Sequence, residues 1–174
     1  MASLILTLVG PDRPGLVRAL SEQVAGLGGS WLESRMAHLA GQFAGIVLVS
    51  LPDPQVAALS AALTAPRDDG MRITLHETGG GPRPIDQQAL ALELVCQDRP
   101  GIIRDITRVL TASDVNIEEL TTNILSGSFS GEQMFRAQAH LRLPTGLSGE
   151  ALRERLEQLG NDMMVDLTLS AASA

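Results

Sequence analysis

One stretch of this chain occurs twice. Residues 6–20 read LTLVGPDRPGLVRAL, and residues 92–106 read LELVCQDRPGIIRDI, an offset of 86. Over positions 6–33, nine residues are identical at that offset, where about two would be expected for such a composition. The shared residues include the whole Asp-Arg-Pro-Gly block and an Arg three positions beyond it, Arg18 and Arg104. A repeat of this kind divides a 174-residue chain into two copies of one small unit, each of about 80 residues. Between them, TGGGPRPIDQ over 78–87 is rich in Gly and Pro, without periodicity, and reads as a linker. The expected organisation is therefore one unit over 1–77, a second over 88–170 and a flexible tail over 171–174.

Both halves read through the same elements. Residues 3–9 and 89–96 are short apolar runs that end at turn signals, so each is a strand. A helix follows, with Pro14 or Pro100 expected in its first turn, where a missing N–H costs nothing. Leu16, Val17, Leu20, Val24 and Leu27 share one face of the first helix, as Ile102, Ile103, Ile106, Val109 and Leu110 do in the second. Residues 30–39 with 43–51, and 116–126 with 132–143, have the look of hairpins. Asp53 is expected to cap a helix over 54–64, and Ser148 one over 149–159, with Leu147 and Leu152 placed for a hydrophobic staple. Closing strands run through Met71, Ile73 and Leu75 and through Met163, Val165, Leu167 and Leu169. The order β-α-β-β-α-β, twice over, is the split βαβ or ferredoxin-like unit, an α+β fold with helices on one face of an antiparallel sheet.

Composition removes several kinds of chemistry. The chain has 13 basic residues, all Arg, with no Lys and no Tyr. Schiff-base formation, a P-loop lysine and a pyridoxal anchor are thereby excluded. The single Cys96 excludes an internal disulfide and a Cys-rich zinc site. His38, His76 and His140 lack metal-ligand spacing and read as solvated, so neither metal nor cofactor is expected. A net charge of −7 repels a phosphate backbone, which argues against direct nucleic-acid binding. Residues 1–80 carry five Arg against seven acids and residues 88–174 seven against twelve, so the second half is the expected docking face for a basic protein partner. The opening MASLILTLVG has no basic segment, and Pro11 interrupts its apolar run; it reads as a strand rather than a signal peptide. No run approaches the roughly 20 apolar residues of a membrane span. The expected location is the cytoplasm.

The repeated turn is where chemistry can occur. A helix N-terminus exposes unpaired N–H groups and partial positive charge, which suit a carboxylate. Gly15 and Gly101 have no Cβ to obstruct a ligand, and Asp12 or Asp98 can hold an ammonium group. A carboxylate at one end and an ammonium at the other describe a free amino acid. An equally available reading is that Asp before Arg-Pro-Gly merely caps a helix.

A β-α-β-β-α-β unit with DRPG at its first turn resembles the ACT domain, the small-molecule-binding regulatory module of amino-acid metabolism. The resemblance covers both halves. Two such units and nothing else, with PDRPGLV early, SWLESRMAHLAGQFAGIVLVS as the first hairpin and VNIEEL in the second half, resemble the glycine cleavage system transcriptional repressor family. In ligand-binding pairs of ACT units, the resemblance implies, the start of the second strand of one unit faces the loop of the other. Those positions are Ser30 with Trp31, and Asn116 with Ile117. It also implies a ligand-facing role at Gly10 and Cys96, beside Arg13 and Arg99 of the block. The implied function is non-catalytic: a regulator of glycine cleavage genes that responds to a small amino acid such as glycine or serine. It would act through a LysR-type activator rather than by DNA contact, with homodimer formation open. Two rival readings are a sensor that docks to a metabolic enzyme and a ligand-free interaction scaffold.

Overall fold

Successive side chains of a strand leave opposite faces of a sheet, so the apolar alternation of LILTLVG and LALELVC places one row of leucines on a single face. The computed structural model describes residues 1–65, 69–78, 88–126, 133–160 and 163–169, the last four of these as backbone. The chain forms two units, Met1–Pro82 and Arg83–Ala174. The first contains β1 (Ala2–Pro11), α1 (Leu16–Gly26), β2 (Ser30–Leu39), β3 (Gln42–Leu51), α2 (Val56–Thr64) and β4 (Arg72–Glu77). The second contains β5 (Gln88–Gln97), α3 (Ile102–Ala112), β6 (Asn116–Ser126), β7 (Gln133–Leu143), α4 (Gly149–Glu157) and β8 (Met164–Leu169). Each unit has one four-stranded sheet, ordered β2-β3-β1-β4 and β6-β7-β5-β8, with antiparallel neighbours throughout. This is the βαββαβ arrangement expected. The linker expected over 78–87 and the tail over 171–174 lie outside the described residues, except for Thr78.

One face of each sheet forms the core. Leu4, Leu6 and Leu8 of β1 pack with Leu20 and Val24 of α1 and with Leu59 and Leu63 of α2. Leu92, Leu94 and Cys96 of β5 do the same with Ile102, Ile106 and Leu110 of α3 and with Leu152 and Leu156 of α4. Each fully buried leucine contributes about 1.5–3 kcal/mol, which makes these rows the main stabilising feature of each unit. Val17, expected on the buried face of α1, is 42% exposed, because Leu16, Leu20, Val24 and Leu27 already fill the strip that meets the sheet.

Helix starts differ from expectation in three of four cases. Helices α1 and α3 begin after Gly15 and Gly101, which adopt left-handed φ values of 91° and 85°, so Pro14 and Pro100 lie in the preceding turn. Asp53 does not cap α2: residues Asp53–Gln55 form a single 3-10 turn. Its carboxylate accepts a 2.8 Å hydrogen bond from the N-terminal ammonium instead, and that contact holds its carboxyl below the usual range. Ser148 behaves as its sequence suggests, with its Oγ accepting from the Ala151 N–H at 3.1 Å. No helix among the described residues is long and apolar enough to cross a membrane.

Candidate functional site

The Asp-Arg-Pro-Gly turns join β1 to α1 and β5 to α3. Each is anchored to the β-hairpin of its own unit: the Asp12 N–H donates to the Gly41 carbonyl at 3.0 Å, and the Asp98 N–H to the Gln133 carbonyl at 2.9 Å. The left-handed glycine then turns the chain sharply into the helix. A residue with a Cβ pays a steric penalty at such φ, which explains glycine at 15 and 101 more directly than ligand clearance does. Neither helix receives a side-chain cap at its N-terminus. The capping role open to Asp12 and Asp98 is therefore not the one they perform, and the first N–H groups of α1 and α3 keep their affinity for a carboxylate.

The two turns have different surroundings. Beyond Gly15 there is open space, whereas a Cβ on Gly101 would lie 3.0 Å from the Arg104 guanidinium. Arg99 donates to Asp105 Oδ2 at 2.8 Å, and Arg104 to Oδ1 at 3.0 Å. These hydrogen bonds, from Arg99 first and Arg104 next, hold the Asp105 carboxyl below its usual range. In the first unit Ala19 stands where Asp105 would be. Arg18 turns to Glu22 at 2.7 Å, and Arg13 has no hydrogen bond or ion pair among the described residues. Asp12 is 3.7 Å from His38 Nε2. His38 is opposite Phe43 on β3; Ile124, opposite Phe135 on β7, has the matching place in the second unit. Sequence spacing gave no sign of His38, which is 26 residues from Asp12 and reaches it only by way of the hairpin.

The resemblance implies a ligand-facing role for Gly10 and Cys96. Both lie on the helix-facing side of their sheets and are buried. A Cβ on Gly10 would meet the Met71 Cα at 2.8 Å and the Gly70 carbonyl oxygen at 3.0 Å, so backbone fills the space a side chain would need. The Cys96 side chain belongs to the core of its unit. Burial pushes its thiol up, against the pull of Arg99 and with a smaller push from Asp98.

Ser30, Trp31, Asn116 and Ile117 lie at the far end of their own sheets. Ser30 is level with Ser50 and Ser3, while the loop follows Pro11, level with Gln42. Eight residues of strand separate the two ends, roughly 26 Å. Asn116, level with Arg142 and Ala89, is as far from the loop after Gln97. Ser30 and Asn116 are exposed; Trp31 and Ile117 pack partly on their own cores. No ligand inside one unit can touch both ends. Directly after these residues each edge strand bulges, between Trp31 and Glu33 and between Ile117 and Glu119. The bulges, which alternation alone does not reveal, twist the strand start away from the regular sheet. Glu118, the extra residue in the second unit, pairs with Arg142 at 3.0 Å, and Glu119 faces His140 at 3.7 Å.

Comparison with known proteins adds the following. Models of the ACT domain match residues 2–76 and residues 91–137. The glycine cleavage system transcriptional repressor of Escherichia coli (strain K12) is 26% identical over 165 residues, covering 94% of this chain and 85% of that protein. The protein of the same name from Shigella flexneri matches equally. Among solved structures, a protein of unknown function from Galdieria sulphuraria superposes with a TM-score of 0.85 at 29% identity, covering 98% of this chain and 99% of that one. A structure provisionally assigned as a glycine cleavage system transcriptional repressor superposes with a TM-score of 0.69 at 17% identity over 97% of this chain and 98% of its own, a likeness of fold.

Proposed function

From the premise that this chain belongs to the ACT domain family, with one ACT unit in each half, we propose that it is a non-catalytic, amino-acid-responsive regulator of glycine cleavage gene expression. The observation that carries the amino-acid part is the pairing, twice in one chain, of an uncapped helix N-terminus with an Asp carboxylate at its entrance. The helix end takes the ligand carboxylate and the Asp its ammonium. Ser30, Trp31, Asn116 and Ile117 lie at the opposite ends of their sheets, out of reach of the loop of their own unit. The regulatory part is supported by the similarity to the Escherichia coli repressor over most of both chains. A route through a protein partner, such as a LysR-type activator, suits a chain with net charge −7 and no Lys better than contact with DNA. Ligand occupancy would act by binding two arrangements of the chain with different affinity.

Calorimetric titration of the full chain with glycine, serine and a panel of other amino acids tests this reading. Saturable binding is expected, weakened about tenfold or more in Asp98→Ala, as loss of one charge-assisted contact implies. Silence across the panel would leave a ligand-free scaffold. Recovery from cells of a metabolic enzyme, and never of a DNA-binding activator, would overturn the transcriptional part.

A further inference from the structure

The faces of the two sheets turned away from the helices are unlike. In the first unit this face carries Ile5 and Val9 of β1 with Ile46 and Leu48 of β3; Val9 is 47% and Ile46 50% exposed. At the matching register positions of the second unit stand Ala91 for Ile5, Gln138 for Ile46 and His140 for Leu48. Glu93 and Arg136 pair across that second face at 2.6 Å. Thr7 stands between Ile5 and Val9, and β4 adds Arg72, Thr74 and His76 along one edge, so the apolar part of this face is the strip shared by β1 and β3, of which the second unit keeps only Val95. A shallow groove on the apolar face is bordered on the β2 side by Glu33 and Arg35, themselves paired at 3.0 Å.

We propose that this face of the first unit joins two copies of the chain about a twofold axis. An isolated protein rarely leaves a contiguous apolar face open. Three ten-residue strands some 33 Å long and the six-residue β4 some 20 Å long, at about 4.8 Å spacing, give roughly 570 Å² per copy, or about 1,100 Å² in all, just above the roughly 1,000 Å² that a specific pair needs. The border fits a second copy better than an unrelated protein. Glu33 and Arg35 carry opposite charges side by side, and a twofold contact sets Glu33 of one copy against Arg35 of the other and the reverse. The proposal does not depend on amino-acid binding.

Sedimentation velocity of the full chain over about 1–100 µM is the test. A reversible dimer is expected. Ile46→Glu enters the contact twice across the axis, so it should raise the dissociation constant by about 100-fold or more, with circular dichroism unchanged. Gln138→Glu, at the matching position of the second unit, should leave it within about twofold. Glu33→Arg should weaken the dimer, and adding Arg35→Glu to it should restore association, a result that holds whether or not Ile46→Glu folds. A wild-type chain that stays monomeric over this range would overturn the proposal. So would a dimer unaffected by Ile46→Glu and by Glu33→Arg, or a double charge exchange that fails to recover.

Discussion

Gly10→Ala is the sharpest test of how the first loop is built. The added methyl would lie 2.8 Å from the Met71 Cα and 3.0 Å from the Gly70 carbonyl oxygen, where carbon atoms ordinarily stay about 3.5–4.0 Å apart. Neither neighbour is the end of a flexible side chain, so β1 and the backbone entering β4 must separate by more than half an ångström. Overpacking of this sort costs about 1–3 kcal/mol. Loss of glycine's freedom in the unfolded chain returns about 0.4–1 kcal/mol. The net is a destabilisation of about 1–2 kcal/mol, equivalent to about 4–16 °C for a unit of this size. Trp31, the one tryptophan, is packed on the first unit's core, so its fluorescence reports the melting of that unit. Gly26→Ala is the control: at the end of α1, with nothing within 4 Å of its Cβ, it should leave the midpoint unchanged or raise it. A Gly10→Ala chain that melts at or above the wild-type temperature would refute the reasoning, and would reopen position 10 to a polar side chain serving a ligand.

Two further outcomes follow from the second unit. Cys96, buried in the core with its thiol pushed up, should react with iodoacetamide at pH 8 only after denaturation, at least about tenfold faster than in the native chain; fast native labelling would contradict that burial. Asp105, held low by Arg99 and Arg104, should titrate by NMR below a model aspartate. Because the folded pKa is the lower one, its stabilisation is present above the unfolded pKa near 3.9 and is lost as pH falls through the folded value. Asp105→Asn should remove that part of the acid dependence, and an unchanged acid profile would show that the two arginines do not act on it in solution.

The repeat made the fold legible because the features it preserves are the ones that determine topology: alternating strands, a turn block and an apolar helix face. Strand positions followed the alternation of β1, β5 and β7 closely. Helix starts did not, because Pro-Gly before a helix is compatible with Pro at its first position and equally with a left-handed glycine that turns into it. Asp53 shows the same difficulty: it has the composition of a cap, but the chain terminus reaches it first and binds it. Gly10 and Gly15 look alike in sequence and are glycines for unrelated reasons, one for a backbone that passes within contact distance, the other for its φ. The bulges at Trp31 and Ile117 carry no marker at all, since Leu32 and Glu118 are ordinary edge-strand residues.

A repeated motif need not make a repeated site. The electrostatics around the two aspartates separate them even though the four-residue block is the same. Asp12 has an imidazole at 3.7 Å, which competes with a ligand ammonium whenever it is protonated, while Arg13 next to it is uncommitted among the described residues. Around Asp98 the arrangement is reversed. Its loop arginine is tied to Asp105, Ile124 occupies the place of His38, and among the described residues no cation pairs with its carboxylate. An ammonium group should therefore find its stronger counter-charge at Asp98, so Asp98→Ala should weaken binding more than Asp12→Ala. Equal losses would mean that the shared block, and not its surroundings, determines what these loops bind.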